Sequence, residues 1–134
     1  MTCVFCKGIK EENILFQSKY FKMVWDINPI QSGHLLVISK EHYESLEQLP
    51  ERIRYELVDL QAYLTKVFRE KTEVDGVSLV YNDGVMDPGT HFHFHLIPRY
   101  RMDGFWDPID VERVEMDVTH LLEAMKKWRI NQCH

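Results

Sequence analysis

No stretch of this chain approaches the roughly 18 consecutive apolar residues that a membrane span needs, and its first ten residues, MTCVFCKGIK, hold no apolar leader segment. The expected location is the cytoplasm, away from membranes. Cysteine is scarce: three residues cannot all pair, and only two residues separate Cys3 from Cys6, so a disulfide framework is a poor account of them. Positive charge is not in excess. Sixteen Lys and Arg stand against 21 Asp and Glu, a net charge of -5, so a nucleic-acid polymer is a poor partner, although a local cluster still suits a small phosphate ligand. Glycine and proline are few (6 and 5), and neither a repeat nor a Gly/Ser/Pro-rich linker interrupts the chain, so residues 1–134 are expected to form a single domain.

Periodicity supplies the elements. Ile14-Leu15-Phe16, Tyr20 to Ile27 and Leu35 to Ser39 are short apolar or β-branched runs separated by turn signals at Asn28-Pro29 and Ser32-Gly33, as in an antiparallel meander. Between Pro50 and Glu73, residues Ile53, Leu57, Leu60, Leu64, Val67 and Phe68 recur at the three-and-four spacing of one helix face. The opposite face carries Arg52, Glu56, Asp59, Lys66, Arg69 and Glu70 and reads as solvated surface. Val77 to Tyr81 and Thr90 to Pro98 predict two further strands around the Asn82-Asp83-Gly84 turn. A terminal helix follows, with Leu121, Leu122, Met125 and Trp128 on one face and Asp117 or Thr119 as N-cap. The predicted class is α+β: an antiparallel sheet of about five strands, one long helix and a C-terminal helix.

The most informative run is His91-Phe92-His93-Phe94-His95-Leu96-Ile97-Pro98-Arg99. On a strand, residues two apart lie roughly 6.5 to 7 Å apart on one face. His91, His93 and His95 therefore share a face, and Phe92, Phe94 and Leu96 occupy the other, packed on the main helix. Three histidines on one face bring several polar nitrogens that need partners, so a purely structural role is disfavoured. Two chemistries compete: a metal held by alternate histidines, or imidazoles acting on phosphorus as nucleophile and acid. Arg99, Arg101, the Gly89 and Thr90 amides and the turn at Asn82 offer donors for phosphate oxygens, whereas no carboxylate stands close enough in sequence to complete a metal shell. Phosphate chemistry is favoured. Imidazole suits it, since a pKa near 6.5 leaves both a nucleophilic and a protonated fraction near neutrality. The Cys3-x-x-Cys6 pair suits half a tetrahedral zinc site better than a redox pair, which usually follows a strand and opens a helix. Two small buried hydrophobes are the plain alternative, and Cys133 receives no role.

The run fits the pattern His-φ-His-φ-His-φ-φ, with φ apolar, and so resembles the histidine triad family of nucleotide hydrolases and transferases. The resemblance extends through Asp26-Ile27-Asn28-Pro29, Ser32-Gly33-His34-Leu35-Leu36-Val37-Ile38 and Lys40 to His42. It implies that His93 attacks the α-phosphorus of a purine nucleotide to form a nucleotidyl-imidazole that water hydrolyses. It further implies that His95 contacts the phosphoryl group or assists the leaving group, that His34 completes the cluster, and that Asp26 accepts from the ribose hydroxyls. Val4, Phe5, Val24 and Ile27 would line the base, with ordinary core packing an equal alternative, and Asn82, Gly89 and Thr90 would serve the phosphate. Some members hold a structural zinc by a C-x-x-C pair, a histidine shortly after the Gly-His strand and the first triad histidine. Cys3, Cys6, His42 and His91 match that set. A homodimer is implied by the resemblance alone.

One departure is plain: many members run Ala-Gly-Gln-Ser or Thr-Val-x before the triad, where this chain has Met86-Asp87-Pro88-Gly89-Thr90. The choice between phosphoramidates and dinucleoside polyphosphates stays open. Gly104-Phe105-Trp106-Asp107-Pro108 either covers the site or packs at an edge. The alternatives to an enzyme are a nucleotide-binding regulator without turnover and a metal-binding protein whose triad itself holds the ion.

Overall fold

The computed structural model describes residues 3–107 and 109–132, so Cys133 and Pro108 lie outside the described residues. Residues up to Asp103 form one compact unit, and those from Gly104 onward form a second.

In the first unit a short helix α1 (Val4–Lys7) precedes strands β1 (Phe16–Gln17), β2 (Phe21–Trp25) and β3 (Leu35–Ser39). Helix α2 (Glu51–Lys71) and strands β4 (Gly76–Val80) and β5 (His93–Arg99) follow. The five strands form one sheet in the order β1-β2-β3-β5-β4, with every pairing antiparallel. The second unit contains α3 (Thr119–Gln132), where the Asp117 carboxylate accepts the Thr119 N–H at 3.0 Å, one of the donors a first helical turn leaves unpaired.

Strand alternation divides the sheet. Phe21, Met23, Leu35, Val37, Phe94 and Leu96 point to one face and join Ile53, Leu57, Leu60 and Leu64 of α2 in the main core. On the other face, Val24, Leu36 and Ile38 cluster with Phe5, and Cys3, Ile9 and Ile14 pack against them. Register sets the histidines on this second face, because His93 pairs with Ile38 and His95 with Leu36. The N-terminal segment is thereby drawn over the face that carries the imidazoles.

Two boundaries and one side chain differ from the sequence expectation for identifiable reasons. Pairing at the first strand centres on Phe16↔Met23, while Ile14 belongs to the second-face cluster, so the strand is shifted past residues 14 and 15. Strand β5 begins at His93 rather than Thr90, because the Phe92 N–H donates to the Tyr43 carbonyl (2.6 Å) and the Phe92 carbonyl accepts from the Ser39 N–H (3.1 Å). The 40–43 loop thus takes the place of a ladder there. Glu56, expected on the solvated helix face, instead accepts from the Tyr20 N–H (2.7 Å) and the Ser18 hydroxyl (2.9 Å), tying α2 to the β1–β2 turn.

The division between α2 faces gives a direct test. Leu57 is 5% exposed and Val58 61%, so Leu57→Ala should cost about 2–5 kcal/mol of stability and Val58→Ala less than about 0.5 kcal/mol. Denaturant midpoints of the two variants check this.

Candidate active site and metal cluster

The β2–β3 hairpin and β5 build the site together. Asp26, just past β2, donates its N–H to the His34 carbonyl at 2.9 Å, which sets the two residues opposite each other at the hairpin mouth. Gly33 takes φ +88°, a conformation that side-chain-bearing residues rarely adopt, and so turns the chain into His34. Across the sheet, Leu36 pairs with His95, which brings the His34 ring within reach of the His95 ring.

The hydrogen-bond partners then assign the ring protons. His34 Nδ1 accepts from the Ile30 N–H at 3.1 Å, so the proton of the neutral ring lies on Nε2. That Nε2–H donates to His95 Nδ1 at 2.9 Å, with Asp26 Oδ2 alongside at 3.4 Å from the same nitrogen. His95 must then carry its own proton on Nε2. That atom is buried and has no hydrogen-bond partner among the described residues, which makes it a donor awaiting an acceptor. His93 is held differently: its Nδ1 donates to the His91 carbonyl at 2.8 Å, so Nε2 is the nitrogen turned away from the backbone. The His93 and His95 rings stand 5.0 Å apart between centroids.

A carboxylate also reaches this point, contrary to the sequence expectation that none stands near. Asp87 Oδ2 lies 2.9 Å from His93 Nε2 and 3.9 Å from His95 Nε2. Only the loop conformation could reveal this, although the position of Asp87 four residues before His91 was a usable hint. The loop is fixed by the Thr90 hydroxyl donating to the Asp87 carbonyl (2.6 Å) and by the Val4 N–H donating to the Gly89 carbonyl (2.8 Å).

Beside this seat lies a cavity of about 330 Å³ lined by His93, Asp87, Gly89, Thr90 and Asn82 among others. Phe5 and Val24 are buried, and Phe5 meets the His93 ring edge-on with centroids 4.7 Å apart. Val4 and Ile27 are exposed, Ile27 at 92%, so the core alternative does not hold for those two. Arg99 is not a phosphate donor: its guanidinium is occupied by the Asp103 carboxylate (2.7 and 3.1 Å) and the Ser78 hydroxyl (2.8 Å).

The second cluster forms where α1, the 40–43 loop and the residues before β5 meet. Donor atoms of Cys3, Cys6, His42 and His91 all lie within 4.8 Å of one another. Cys3 Sγ stands 3.2 Å from His91 Nδ1, and Cys6 Sγ 3.1 Å from His42 Nδ1. His91 Nε2 donates to the Ser39 carbonyl at 2.7 Å, so its Nδ1 lone pair faces the two sulfurs. A backbone carbonyl that orients one ring nitrogen while the other faces a ligand cluster is the usual support of a metal-binding histidine. The donor set therefore fits a divalent ion of zinc type.

An antiparallel sheet that presents alternate histidines, with protons set by backbone and ring partners, beside a thiol–imidazole cluster defines a histidine-triad class of protein. Residues 7–102 match the model of the HIT domain family, and the chain belongs to that family. It is 34% identical over 107 residues to an uncharacterised HIT-like protein of Methanocaldococcus jannaschii, covering 76% of this chain and 82% of that one. It is 31% identical over 134 residues to an adenylylsulfatase of Arabidopsis thaliana, covering 93% and 68%. An adenosine 5′-monophosphoramidase of Candida albicans is 32% identical over 111 residues, covering 73% and 70%. Among solved structures, a zinc-bound histidine triad family protein of Mycobacterium smegmatis superposes with a TM-score of 0.66 at 25% identity, covering 98% and 99%. A HIT family protein of Bacillus anthracis gives a TM-score of 0.71 at 24% identity, covering 98% and 97%, which speaks to the fold. Nucleotide hydrolase chemistry is supported by this membership. No helix among the described residues is long and apolar enough to cross a membrane.

Burial lowers the pKa of both His34 and His95 from the ordinary 6.5. Asp26 opposes the shift at His34; at His95 the neighbouring His93 and His34 add to it. A base whose folded pKa is lowered binds fewer protons folded than unfolded as pH falls through the unfolded value. Stability contributed by the two neutral rings should thus be intact above pH about 6.5 and decline below it. Imidazole NMR titrations should place both midpoints under that value, and midpoints at or above it would contradict the assigned burial.

Proposed function

We propose that the chain is a nucleotide hydrolase that transfers a nucleoside monophosphate, purine in type, to His93 and then to water. The observation carrying this reading is that His93 Nε2 and the partnerless Nε2–H of His95 lie 2.9 and 3.9 Å from one point, the Asp87 carboxylate oxygen, and so border one seat. A phosphoryl group that displaces the Asp87 oxygen from that point meets a lone pair and a hydrogen-bond donor together.

The electron count is simple. The Nε2 lone pair of His93 forms a bond to the α-phosphorus while the bond to the leaving group breaks, its pair passing to the leaving atom. An amine leaving group takes one proton from solvent. Water then attacks phosphorus, the N–P bond returns its pair to the ring, and the water loses a proton. His95 holds a non-bridging oxygen in both steps, and His34 keeps His95 in the donating tautomer, supported by Asp26. Asp26 is the acceptor assigned to the ribose; its Oδ1 already takes the Asn28 N–H at 2.8 Å, which holds the carboxylate at the hairpin mouth. Phe5 and Val24, with exposed Val4 and Ile27, are the walls assigned to the base, and Asn82, Gly89 and Thr90 border the phosphate end. The similar adenylylsulfatase and adenosine 5′-monophosphoramidase support an adenylyl group as the piece transferred.

The same reading includes a structural zinc held by Cys3, Cys6, His42 and His91, closed by four protein ligands and outside the reaction. It is also a homodimeric reading. β4 is an edge strand of the sheet among the described residues, the kind of edge on which a second copy can pair.

Incubation with adenosine 5′-monophosphoramidate should give an adenylyl adduct on His93 by mass spectrometry of the quenched protein. His93→Ala should lose turnover by a factor on the order of 10³ or more. A chain that binds AMP but never forms the adduct is a regulator instead. The metal alternative rests on Asp87, His93 and His95, whose donor atoms also lie within 4.8 Å of one another.

Elemental analysis addresses both metal assignments. One zinc per chain is expected, lost in Cys3→Ala and kept in His93→Ala. Unchanged metal in Cys3→Ala, or loss in His93→Ala, would move the ion to the triad.

A further inference from the structure

The transfer described above leaves one charged group at the phosphoryl seat without a role, the carboxylate of Asp87. It lies 2.9 Å from His93 Nε2 and 3.9 Å from His95 Nε2, so whatever reacts at those nitrogens reacts beside a negative charge. The Thr90 and Val4 hydrogen bonds hold the loop in place, and the carboxylate is 31% exposed, so it borders solvent rather than the core.

The surroundings sharpen the point. On the other side of the histidines, Asp26 is engaged by His34 and Asn28 at the hairpin mouth assigned to the nucleoside. The space left for a departing group is the cavity of about 330 Å³ on the Asp87 side, whose lining includes Glu44, Asn82, Val85 and Pro88. Among the described residues, two carboxylates line that cavity and no lysine or arginine does. Its basic lining residues are His42, His91 and His93, of which the first two belong to the thiol–imidazole cluster. Phosphate, pyrophosphate or sulfate leaving the α-phosphorus as His93 attacks would enter a cavity with two anionic walls and, among the described residues, no dedicated cation.

We propose that Asp87 selects the leaving group by charge, favouring a departing amine that carries positive charge and disfavouring an anionic leaving group; this rests on the nucleotidyl-transfer reading. As the P–N bond breaks, its electron pair passes to nitrogen, which takes one proton from solvent to become an amine and a second to leave as an ammonium. A carboxylate beside that nitrogen stabilises the developing positive charge and accepts its N–H. The same carboxylate repels an oxyanion left behind by P–O cleavage. Unit charges 4 to 6 Å apart in a partly solvated site differ enough between attraction and repulsion to change kcat/KM on the order of ten- to a hundredfold.

The test compares three adenylyl donors: the phosphoramidate of ethylenediamine, whose far amine is protonated, the phosphoramidate of propylamine, its neutral counterpart, and diadenosine tetraphosphate. The wild-type chain should rank them in that order by kcat/KM, with the spacing narrowing as salt is raised. In Asp87→Asn and Asp87→Ser the ratio of the first to the third should fall by about tenfold or more, while Asp87→Glu, which keeps the charge, holds the wild-type order. If wild-type His93 becomes adenylylated and the ratio is the same in Asp87→Asn and Asp87→Ser, Asp87 is not the selector. If no donor adenylylates wild-type His93, the transfer reading itself falls and takes the selector with it.

Discussion

Each imidazole of the site has one nitrogen committed to a fixed partner, and that commitment decides what the other nitrogen can do. The Ile30 N–H fixes His34, His34 fixes His95, the His91 carbonyl fixes His93, and the Ser39 carbonyl fixes His91. A neutral imidazole offers one donor and one acceptor, so occupying either defines the remainder. Four rings of identical chemistry thereby present different atoms, which is what the proposed roles of relay, donor, nucleophile and ligand require. Burial reinforces the division by disfavouring the doubly protonated form of His34, His91 and His95.

The sheet is what makes those commitments available. Alternation along β5 puts Phe94 and Leu96 into the core against α2 and leaves His93 and His95 on the face covered by the N-terminal segment. Neither face works without the other. Apolar packing on the α2 side holds the strand rigid, and a rigid strand keeps two ring nitrogens aimed at one seat without any further cost at the moment of reaction. Glu56 extends this control outward, since its bonds to Ser18 and Tyr20 anchor the hairpin that carries Asp26 and His34 at its far end.

What could be read from the chain alone follows the range of the interactions involved. The face shared by the three histidines was legible because it depends on a period of two along one strand. The α2 core residues were legible because they follow a period near 3.6. The grouping of Cys3 and Cys6 with His42 and His91 came from resemblance; no local pattern links positions 88 residues apart. Contacts made by loops folding back escaped. Glu56 looked solvated because its partners lie 36 and 38 residues away. Asp87 was passed over because its approach to His93 depends on the path of the loop between β4 and β5. Arg99 was assigned to phosphate although Asp103, at the i+4 position, was visible as its partner.

His91 joins the two halves of the site within a single residue. Its side chain turns Nδ1 toward Cys3 and Cys6, and its backbone carbonyl accepts the proton of His93 Nδ1. The contact with the sulfur cluster and the bond that orients the His93 ring thus belong to one residue. In the proposed reaction, a cluster that never touches the substrate would act by holding one peptide unit in place. The Val4 N–H bond to the Gly89 carbonyl adds a second link, from the segment bearing both cysteines to the loop bearing Asp87. The N-terminal residues thus brace the site from two directions, through the strand behind His93 and through the loop in front of it.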